Sequence, residues 1–355
     1  MQNIKSTSGN FFEDFSIGQT LIHGVPRTIT ESDGTLYLAL TGSRFALHCA
    51  KTVAAQVGFS STPLDNFLVF HIAFGKTVND ISLNAVANLG YAELCFHRAS
   101  FSGDTLSVSS KVIGLKENSN GKTGIVYVHS KAVNQNQELI LDWKRWVMIK
   151  MRDSNTPSDI NQVPELQSAV LPSSIKLDSR YDFSNWQPSY SDNQKRFDDF
   201  DIGEVINHRA GITINDTDHS LATRLYQNNA RVHFDQALMD NTVAQKRLVY
   251  GGHIISLCRA LSYNGLGNAI WLSAINGGSH SNPSYAGDTI YSQSRILDKQ
   301  TIEGRDDLGL VRVQMIGTKN TPSEQIDQLF ERVGSRLKYD SAVVLDLDYS
   351  VLMLK

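Results

Sequence analysis

Residues 221–257 read LATRLYQNNARVHFDQALMDNTVAQKRLVYGGHIISL, and the chain is organised around this stretch. An apolar segment ends at Leu225, and a polar turn follows with His233 at its far end. Gly251 and Gly252 then open a second apolar segment, which has the character of a helix. Histidine exchanges a proton near neutral pH, and a helix N-terminus offers free backbone N–H donors. The pattern therefore indicates chemistry on a carbonyl group.

Length and composition exclude several classes of protein. At 355 residues the chain is long for one core and suits two domains. A net charge of −3 gives no reason to expect a nucleic acid or an acidic membrane as partner. No apolar run is long enough to span a bilayer, and the N-terminus lacks the apolar core of a signal peptide. Three cysteines without a CxxC pair are typical of free thiols, so we expect a cytoplasmic protein.

The second half of the chain repeats the first in one ungapped register. The aligned pairs include Phe12 with Phe197, Asp14 with Asp199, His23 with His208, Asp33 with Asp218, and His48 with His233. Further along, after a shift of one residue, GDT at 103–105 matches GDT at 287–289. So many matches in one register predict a duplicated domain. We place the domains at 1–152 and 196–355, joined by a linker at 153–195 that holds four of the eight prolines. This composition predicts an extended connector along the surface.

Each half has the same predicted order of elements. A short strand and a helix precede the histidine turn, and an apolar helix follows it, at Asp65 to about Val78 or at Gly252 to about Tyr263. Alternating apolar residues then predict half-buried antiparallel strands, such as Thr123–Val133 and Leu139–Met151. The predicted class is α+β, with each sheet wrapped around a long helix. Thr321–Leu337 begins like a capped helix, and we expect a surface helix there.

These residues resemble the MaoC-like (R)-specific hydratases, which have a double hot-dog fold. The resemblance is carried by the repeat order, QNNARVHF, YGGHIISLCRALSYNGL and the SGDTL and AGDTI strand starts. It is closest to the mesaconyl-CoA hydratase branch, also called β-methylmalyl-CoA dehydratase. The resemblance implies that water adds reversibly across the double bond of an enoyl-CoA. It also implies an acyl-CoA substrate, no metal or other cofactor, and further pairing into a homodimer.

The family motif transfers residue by residue onto the second half. His233 holds the histidine position and is the expected general acid/base, whereas Asn228 stands where the family has aspartate. An amide cannot accept the proton of water, so Asn228 is expected to orient the water or to fix the imidazole. Gly251 falls on the glycine that binds the thioester oxygen, with Gly252 beside it. Asp235 and Glu93 are the carboxylates to examine as a replacement base, although a solvated side chain is the favoured interpretation of each.

The branch substrate carries a carboxylate of its own, which requires a cation. Arg231 is the first candidate, because a guanidinium binds carboxylates well, and Arg44 on the equivalent turn of the first half is the second. His253, just inside the helix, is either a packed core residue or a participant in substrate binding. His48 holds the histidine position of the first half, but Asp65 replaces the glycines there, so we expect a scaffold role for that half.

Two other functions remain open from the sequence. A hot-dog thioesterase would use the same fold and direct water to the thioester carbonyl carbon. A non-catalytic acyl-CoA-binding protein is favoured by the missing aspartate at Asn228. No His, Cys or carboxylate cluster has metal-ligand spacing.

Overall fold

The computed structural model describes residues 8–152, 160–175, 177–334 and 336–355. The helices are α1 (Glu31–Thr41), α2 (Ala46–Cys49), α3 (Lys51–Gln56), α4 (Asn66–Thr77), α5 (Asp216–Leu225), α6 (Gln236–Met239) and α7 (Gly251–Leu266). The strands are β1 (Thr20–Thr28), β2 (Ala85–Phe96), β3 (Thr105–Glu117), β4 (Thr123–Val133), β5 (Leu139–Lys150), β6 (Asn161–Gln162), β7 (Val205–Thr213), β8 (Trp271–Ser279), β9 (Thr289–Ile302), β10 (Arg305–Lys319), β11 (Phe330–Val333), β12 (Arg336–Tyr339) and β13 (Val343–Leu354).

One antiparallel sheet runs through both halves of the chain. Its strand order is β1-β3-β4-β5-β2-β8-β13-β10-β9-β7, with β6 added beside β3. The first five strands of this order and the last five are the same pattern read from opposite edges. The two patterns meet where β2 pairs with β8, through partners such as Leu94 and Ile275. The predicted α+β class is confirmed, and the two repeated sheets that we predicted are the two halves of one continuous sheet.

A long helix lies against each half of the sheet. Every residue of α4 is buried, so this helix is enclosed by protein on all sides. Helix α7 packs against β7 and β9 and ends in a kink, where Gly265 has a φ of 114°. A left-handed φ of this kind is easily reached only by glycine. The helices begin within one residue of the predicted starts, because their capping residues are local sequence signals.

The repeat extends to individual hydrogen bonds inside each half. Nε2 of His23 lies 2.8 Å from Oγ of Ser110, and Nε2 of His208 lies 2.9 Å from Oγ of Ser294. Each bond joins the first strand of a half to its neighbour in the sheet. The two histidines are buried, so a bonded ring nitrogen avoids the cost of an unpaired polar group. These residues have a structural role.

The linker contributes to the core. From 160 to 195 the described residues include short 3-10 turns at Pro172–Ser174 and Pro188–Tyr190. The linker buries Ile175, Tyr181, Phe183 and Trp186 in an apolar cluster with residues of α3, β8, β10 and β13. The expectation of a surface connector therefore needs correction. Aromatic side chains among the prolines give this segment apolar area to bury.

The predicted helix at 321–337 is wrong. Only a 3-10 turn forms at Ser323–Gln325, and the chain then makes a hairpin of β11 and β12. Phe330 and Tyr339 pair across it, with their rings 5.9 Å apart. Gly334 has a φ of 62°, a conformation that ends a helix and suits a tight turn. Within the described ranges, no helix is both long enough and apolar enough to cross a membrane.

Candidate active site

A cavity of about 800 Å³ lies between the two halves. The first half lines it with residues of α4, β2 and β5, among them Phe74, Tyr91 and Arg145. The second half lines it with the turn that contains His233 and with the start of α7 at Gly251. Because β2 and β8 are neighbours in one sheet, both halves can contribute to a single cavity.

His233 is the buried residue of the 3-10 turn Arg231–His233, which lies at the wall of this cavity. Its Nδ1 lies 2.8 Å from the carbonyl oxygen of Leu248. A carbonyl only accepts, so Nδ1 carries the hydrogen and Nε2 keeps its lone pair. Burial lowers the pKa of His233 to about 4, and the bond to Leu248 offsets only part of this effect. The imidazole is therefore neutral at pH 7, with Nε2 available as a base.

Asn228 lies beside the histidine turn and is almost fully buried. Its Oδ1 accepts a hydrogen bond of 3.0 Å from the backbone N–H of Ala230, which fixes the orientation of the amide. The side-chain nitrogen is thereby left to donate toward the cavity that Asn228 lines. An amide N–H held in this way can bind the oxygen of a water molecule but cannot remove its proton.

The start of α7 offers free backbone donors. Tyr250 is the N-cap residue and forms no side-chain cap. The N–H groups of Gly251 and Gly252 have no acceptor in the described parts of the chain, and Gly251 lines the cavity. By contrast, Asp65 caps α4 in the first half and accepts a bond of 2.8 Å from the N–H of Phe67. Of the two helix starts, that of α7 has no side-chain cap and lies at the cavity, so it can present backbone donors to a thioester oxygen.

Packing around α7 requires glycine at both positions. A Cβ atom on Gly251 would lie 2.5 Å from the ring of His280. A Cβ atom on Gly252 would lie 2.4 Å from the ring of Tyr250 and 2.6 Å from Nδ1 of His71. Real Cβ atoms do not approach this closely, so any larger residue would displace the surrounding rings.

The charged side chains that line the cavity are all cationic. They are Arg145, Lys150 and Arg231, and no aspartate or glutamate of the described chain lines it. Asp235 accepts bonds of 2.9 and 2.6 Å from Arg231 and also caps α6. Glu93 lies 2.6 Å from Lys144, outside the cavity. Neither candidate replacement for the missing carboxylate base faces His233.

A sequence model of the mesaconyl-CoA hydratase family matches residues 3–324. The chain belongs to this family. It is 50% identical to the β-methylmalyl-CoA dehydratase of Chloroflexus aurantiacus over 98% of both chains. It is 42% identical to the mesaconyl-CoA hydratase of Cereibacter sphaeroides over 99% of both.

Solved structures agree with this assignment. A crystal structure of a MaoC domain protein dehydratase from Chloroflexus aurantiacus covers 99% of both chains with a TM-score of 0.94 at 50% identity. A Mycobacterium tuberculosis protein with a double hot-dog fold covers 99% of this chain with a TM-score of 0.75 at 23% identity. The second similarity concerns the fold alone. Together they confirm the double hot-dog fold of this mesaconyl-CoA hydratase family member.

Three sequence-predicted site residues, Gly252, Arg44 and His253, do not line the hydratase cavity. Arg44 lies elsewhere, where Nη2 is 2.6 Å from Oδ1 of Asn264 and the guanidinium covers the ring of Tyr263 at 4.5 Å. His253 is fully buried behind the start of α7, and burial lowers its pKa to about 4. Arg231 lines the cavity, but its guanidinium is already bound to Asp235 and is largely exposed.

The first half keeps its histidine but not the rest of the hydratase site. Nδ1 of His48 lies 3.0 Å from the carbonyl oxygen of Pro63, which repeats the arrangement of the second-half histidine. The ring of Trp271 packs against His48, with 6.1 Å between centroids. Trp271 in turn packs against Phe59, on which the linker residue Tyr181 stacks at 3.8 Å. Aromatic side chains thus surround the first-half position.

Arg145, Tyr91, Tyr250 and His280 are hydratase cavity residues that sequence reasoning missed. One signal was present for Arg145. Alternation in β5 places it on the buried face, together with Trp143 and Val147. An arginine on an apolar strand face requires a reason. Tyr91, Tyr250 and His280 reach the cavity through packing between segments that are distant in sequence, and no local pattern indicates this.

A second cavity of about 550 Å³ meets the first at Asn228. Its lining includes three cations, Lys76, Arg224 and Arg247. Burial lowers the pKa of Lys76 to about 8, and the nearby Arg27 adds to the effect. Among the described residues, no group of three His, Cys, Asp or Glu side chains is arranged to hold a metal ion.

Proposed function

We propose that this chain is a mesaconyl-CoA hydratase, which adds water reversibly to mesaconyl-CoA to give β-methylmalyl-CoA. One observation carries the proposal. The neutral imidazole of His233 and the free N–H group of Gly251 line the same cavity. This arrangement supplies a base and an oxyanion donor to one substrate. Relatives that match the chain over almost their whole length are named β-methylmalyl-CoA dehydratase and mesaconyl-CoA hydratase.

The hydration step uses groups of this chain only. The amide nitrogen of Asn228 holds a water oxygen, and Nε2 of His233 takes a proton from that water. The hydroxide oxygen bonds to the alkene carbon that carries the carboxylate. The electron pair of the double bond moves through the thioester to its oxygen, where the N–H groups of Gly251 and Gly252 stabilise the enolate.

The second step returns the proton. The imidazolium of His233 protonates the carbon next to the thioester, the enolate oxygen returns to a carbonyl, and the histidine is neutral again. The net change is addition of one water molecule. The developing positive charge on His233 is favoured by the substrate carboxylate, which offsets the burial that lowers its pKa in the free protein.

The charge of the lining favours this substrate over a neutral enoyl-CoA. The large cavity is lined by cations and no carboxylate within the described ranges. The adjoining cavity adds Lys76, Arg224 and Arg247. A substrate with one carboxylate and a phosphate-bearing CoA group matches this distribution, because each anion gains an opposite charge.

The test follows the absorbance of the conjugated enoyl thioester. The purified protein is mixed with mesaconyl-CoA, and parallel reactions contain crotonyl-CoA or a thiol reagent. We expect rapid loss of absorbance with mesaconyl-CoA, little with crotonyl-CoA, and no free thiol. Release of CoA thiol would indicate a thioesterase. Tight binding without turnover would indicate a non-catalytic acyl-CoA-binding protein.

We propose further that the protein works as a cytoplasmic homodimer. Its three cysteines are free thiols, as is usual in the reducing environment of the cytoplasm. Sedimentation equilibrium should give twice the mass of the 39.4 kDa chain. A mass equal to one chain would contradict the dimer and leave the proposed reaction unaffected.

A further inference from the structure

Arg145 is a buried cation without a counter-charge. Its relative exposure is 1%, and it extends from the apolar face of β5. Nη2 donates to Oγ1 of Thr77 at 2.8 Å and lies 3.5 Å from Oγ of Ser82. Nε and Nη1 have no hydrogen-bond partner. No carboxylate among the described residues forms an ion pair with it, and the ionisable groups that act on its charge are the hydroxyls of Tyr91 and Tyr250.

The other buried arginine shows what a structural role looks like. Arg259 donates from Nη2 to the carbonyl oxygen of Ala269 and from Nη1 to Oγ of Ser262. No nitrogen of Arg259 is left buried and unbonded, and it does not line the cavity. Arg145 lines the cavity and keeps two nitrogens unbonded. An uncompensated buried charge is costly, so the difference calls for a ligand.

Arg145 also breaks the repeat. Tyr91 of β2 faces Arg145 of β5, and at the matching register of the second half Ile275 of β8 faces Tyr349 of β13. A residue required by the fold would be equally useful in both sheets. The arginine is present only in the half that faces the second-half catalytic groups across the cavity.

Aromatic contacts place Arg145 close to those groups. Its guanidinium covers the ring of Phe74 at 4.2 Å, and Phe74 lies 5.9 Å from Tyr250. The ring of Tyr250 lies 5.6 Å from His233. Two aromatic rings in succession, Phe74 and Tyr250, therefore connect the cation to the base along the cavity wall. The hydroxyl of Tyr250 is itself buried without a partner, so it can add an O–H donor to an anion bound there.

We propose that the guanidinium of Arg145 binds the free carboxylate of the substrate and so selects dicarboxylic acyl-CoA thioesters. The proposal rests on the hydratase function argued above. In mesaconyl-CoA the carboxylate is attached to the carbon that receives the hydroxyl. A cation in the same cavity as the base can therefore hold this carbon toward the water bound at His233. Burial lowers the pKa of Arg145 to about 10, and a bound carboxylate would restore its preference for the charged form.

The test compares two saturated ligands that differ only in the carboxylate. 2-Methylsuccinyl-CoA carries it, and 2-methylbutyryl-CoA has a methyl group in its place. Calorimetry of the wild-type chain and of Arg145→Met measures both dissociation constants. We expect Arg145→Met to raise the dissociation constant of 2-methylsuccinyl-CoA by about 100-fold, the effect of losing a buried charge-assisted hydrogen bond. Binding of 2-methylbutyryl-CoA should not weaken.

Both ligands carry the CoA phosphates, so the comparison separates the carboxylate from a phosphate source. An equal loss for both ligands, or no loss for either, overturns the proposal. Arg231→Met is the competing variant. If Arg231→Met selectively loses binding of 2-methylsuccinyl-CoA and Arg145→Met does not, the proposal is also overturned. If Arg145→Met does not fold, Arg145→Lys is used, and it should keep part of the preference for the carboxylate ligand.

Failure of this inference is distinct from failure of the hydratase function. A wild-type chain that does not hydrate mesaconyl-CoA contradicts the proposed function, whatever the two ligands show. An active wild-type chain whose Arg145→Met variant loses no carboxylate selectivity contradicts the role of Arg145 alone.

Discussion

The Nδ1–H group of His233 donates to the carbonyl oxygen of Leu248, 2.8 Å away. The same bond is present in the first half, where His48 donates to Pro63 at 3.0 Å. The duplicated hydrogen bond fixes the tautomer in both halves. The halves therefore differ in what each imidazole faces, and only His233 faces a cavity with free helix donors.

Substitution of the two histidines should separate these roles. We expect His233→Ala to lower kcat by ~10²–10⁴-fold, because the general acid/base is removed. His48→Ala should leave kcat close to the wild-type value, since its ring packs against Trp271 outside the cavity. Steady-state kinetics with mesaconyl-CoA measures both. A larger loss of kcat in His48→Ala would place the working site in the first half.

Enlargement of Gly251 should affect catalysis more than folding. In Gly251→Ala the added methyl group meets the ring of His280, so the helix start or the ring must move. We expect kcat/KM to fall by ~100-fold, the effect of a displacement of about 1 Å in a catalytic group. Gly277→Ala is the control, because its methyl group would lie 3.9 Å from the nearest atom. Equal activity of the two variants would argue against the oxyanion role.

Folding stability should fall as the pH is lowered below about 6.5. Burial lowers the pKa of several histidines, to about 4 for His208, His233, His253 and His280 and well below the ordinary value for His71. Between pH 6.5 and 4 these groups bind protons in the unfolded chain but not in the folded one. The stabilisation that depends on these neutral histidines is therefore fully present above pH 6.5. Below pH 6.5, each histidine lowers the free energy of unfolding by about 1.4 kcal/mol per pH unit.

Urea unfolding at pH 7.5, 6.5, 5.5 and 5 measures this slope. His253→Gln removes one titrating group that does not line the cavity, and its slope should be smaller than that of the wild-type chain. A free energy of unfolding that does not change from pH 7 to pH 5 would show that these histidines are protonated in the folded protein.

The linker should be necessary for stability. Phe183 is 2% exposed in the apolar cluster that joins the linker to the sheet. We expect Phe183→Ala to lower the free energy of unfolding by ~3–5 kcal/mol, as for other buried aromatic residues. Leu171→Ala, in the same linker but 63% exposed, should change it by no more than about 0.5 kcal/mol. Similar effects of the two variants in urea titrations would mean that the linker does not pack as described.

The sequence by itself determined the duplication, the long strands, the starts of the two central helices and the candidate base His233. These are local properties: alternation follows the two-residue period of a strand, and glycines or a capping aspartate mark a helix start. Local signals failed at 321–337, where a capped start led only to a 3-10 turn and a hairpin.

Tertiary structure alone decided which residues meet in the cavity. Arg44 and Arg145 are both arginines of the first half, yet only Arg145 lines the cavity, because β5 directs it inward and Arg44 binds Asn264. The lowered pKa of His233 likewise depends on burial by residues remote in sequence. Electrostatic environment and ligand contacts are set by the three-dimensional packing of distant segments, and no local pattern encodes them.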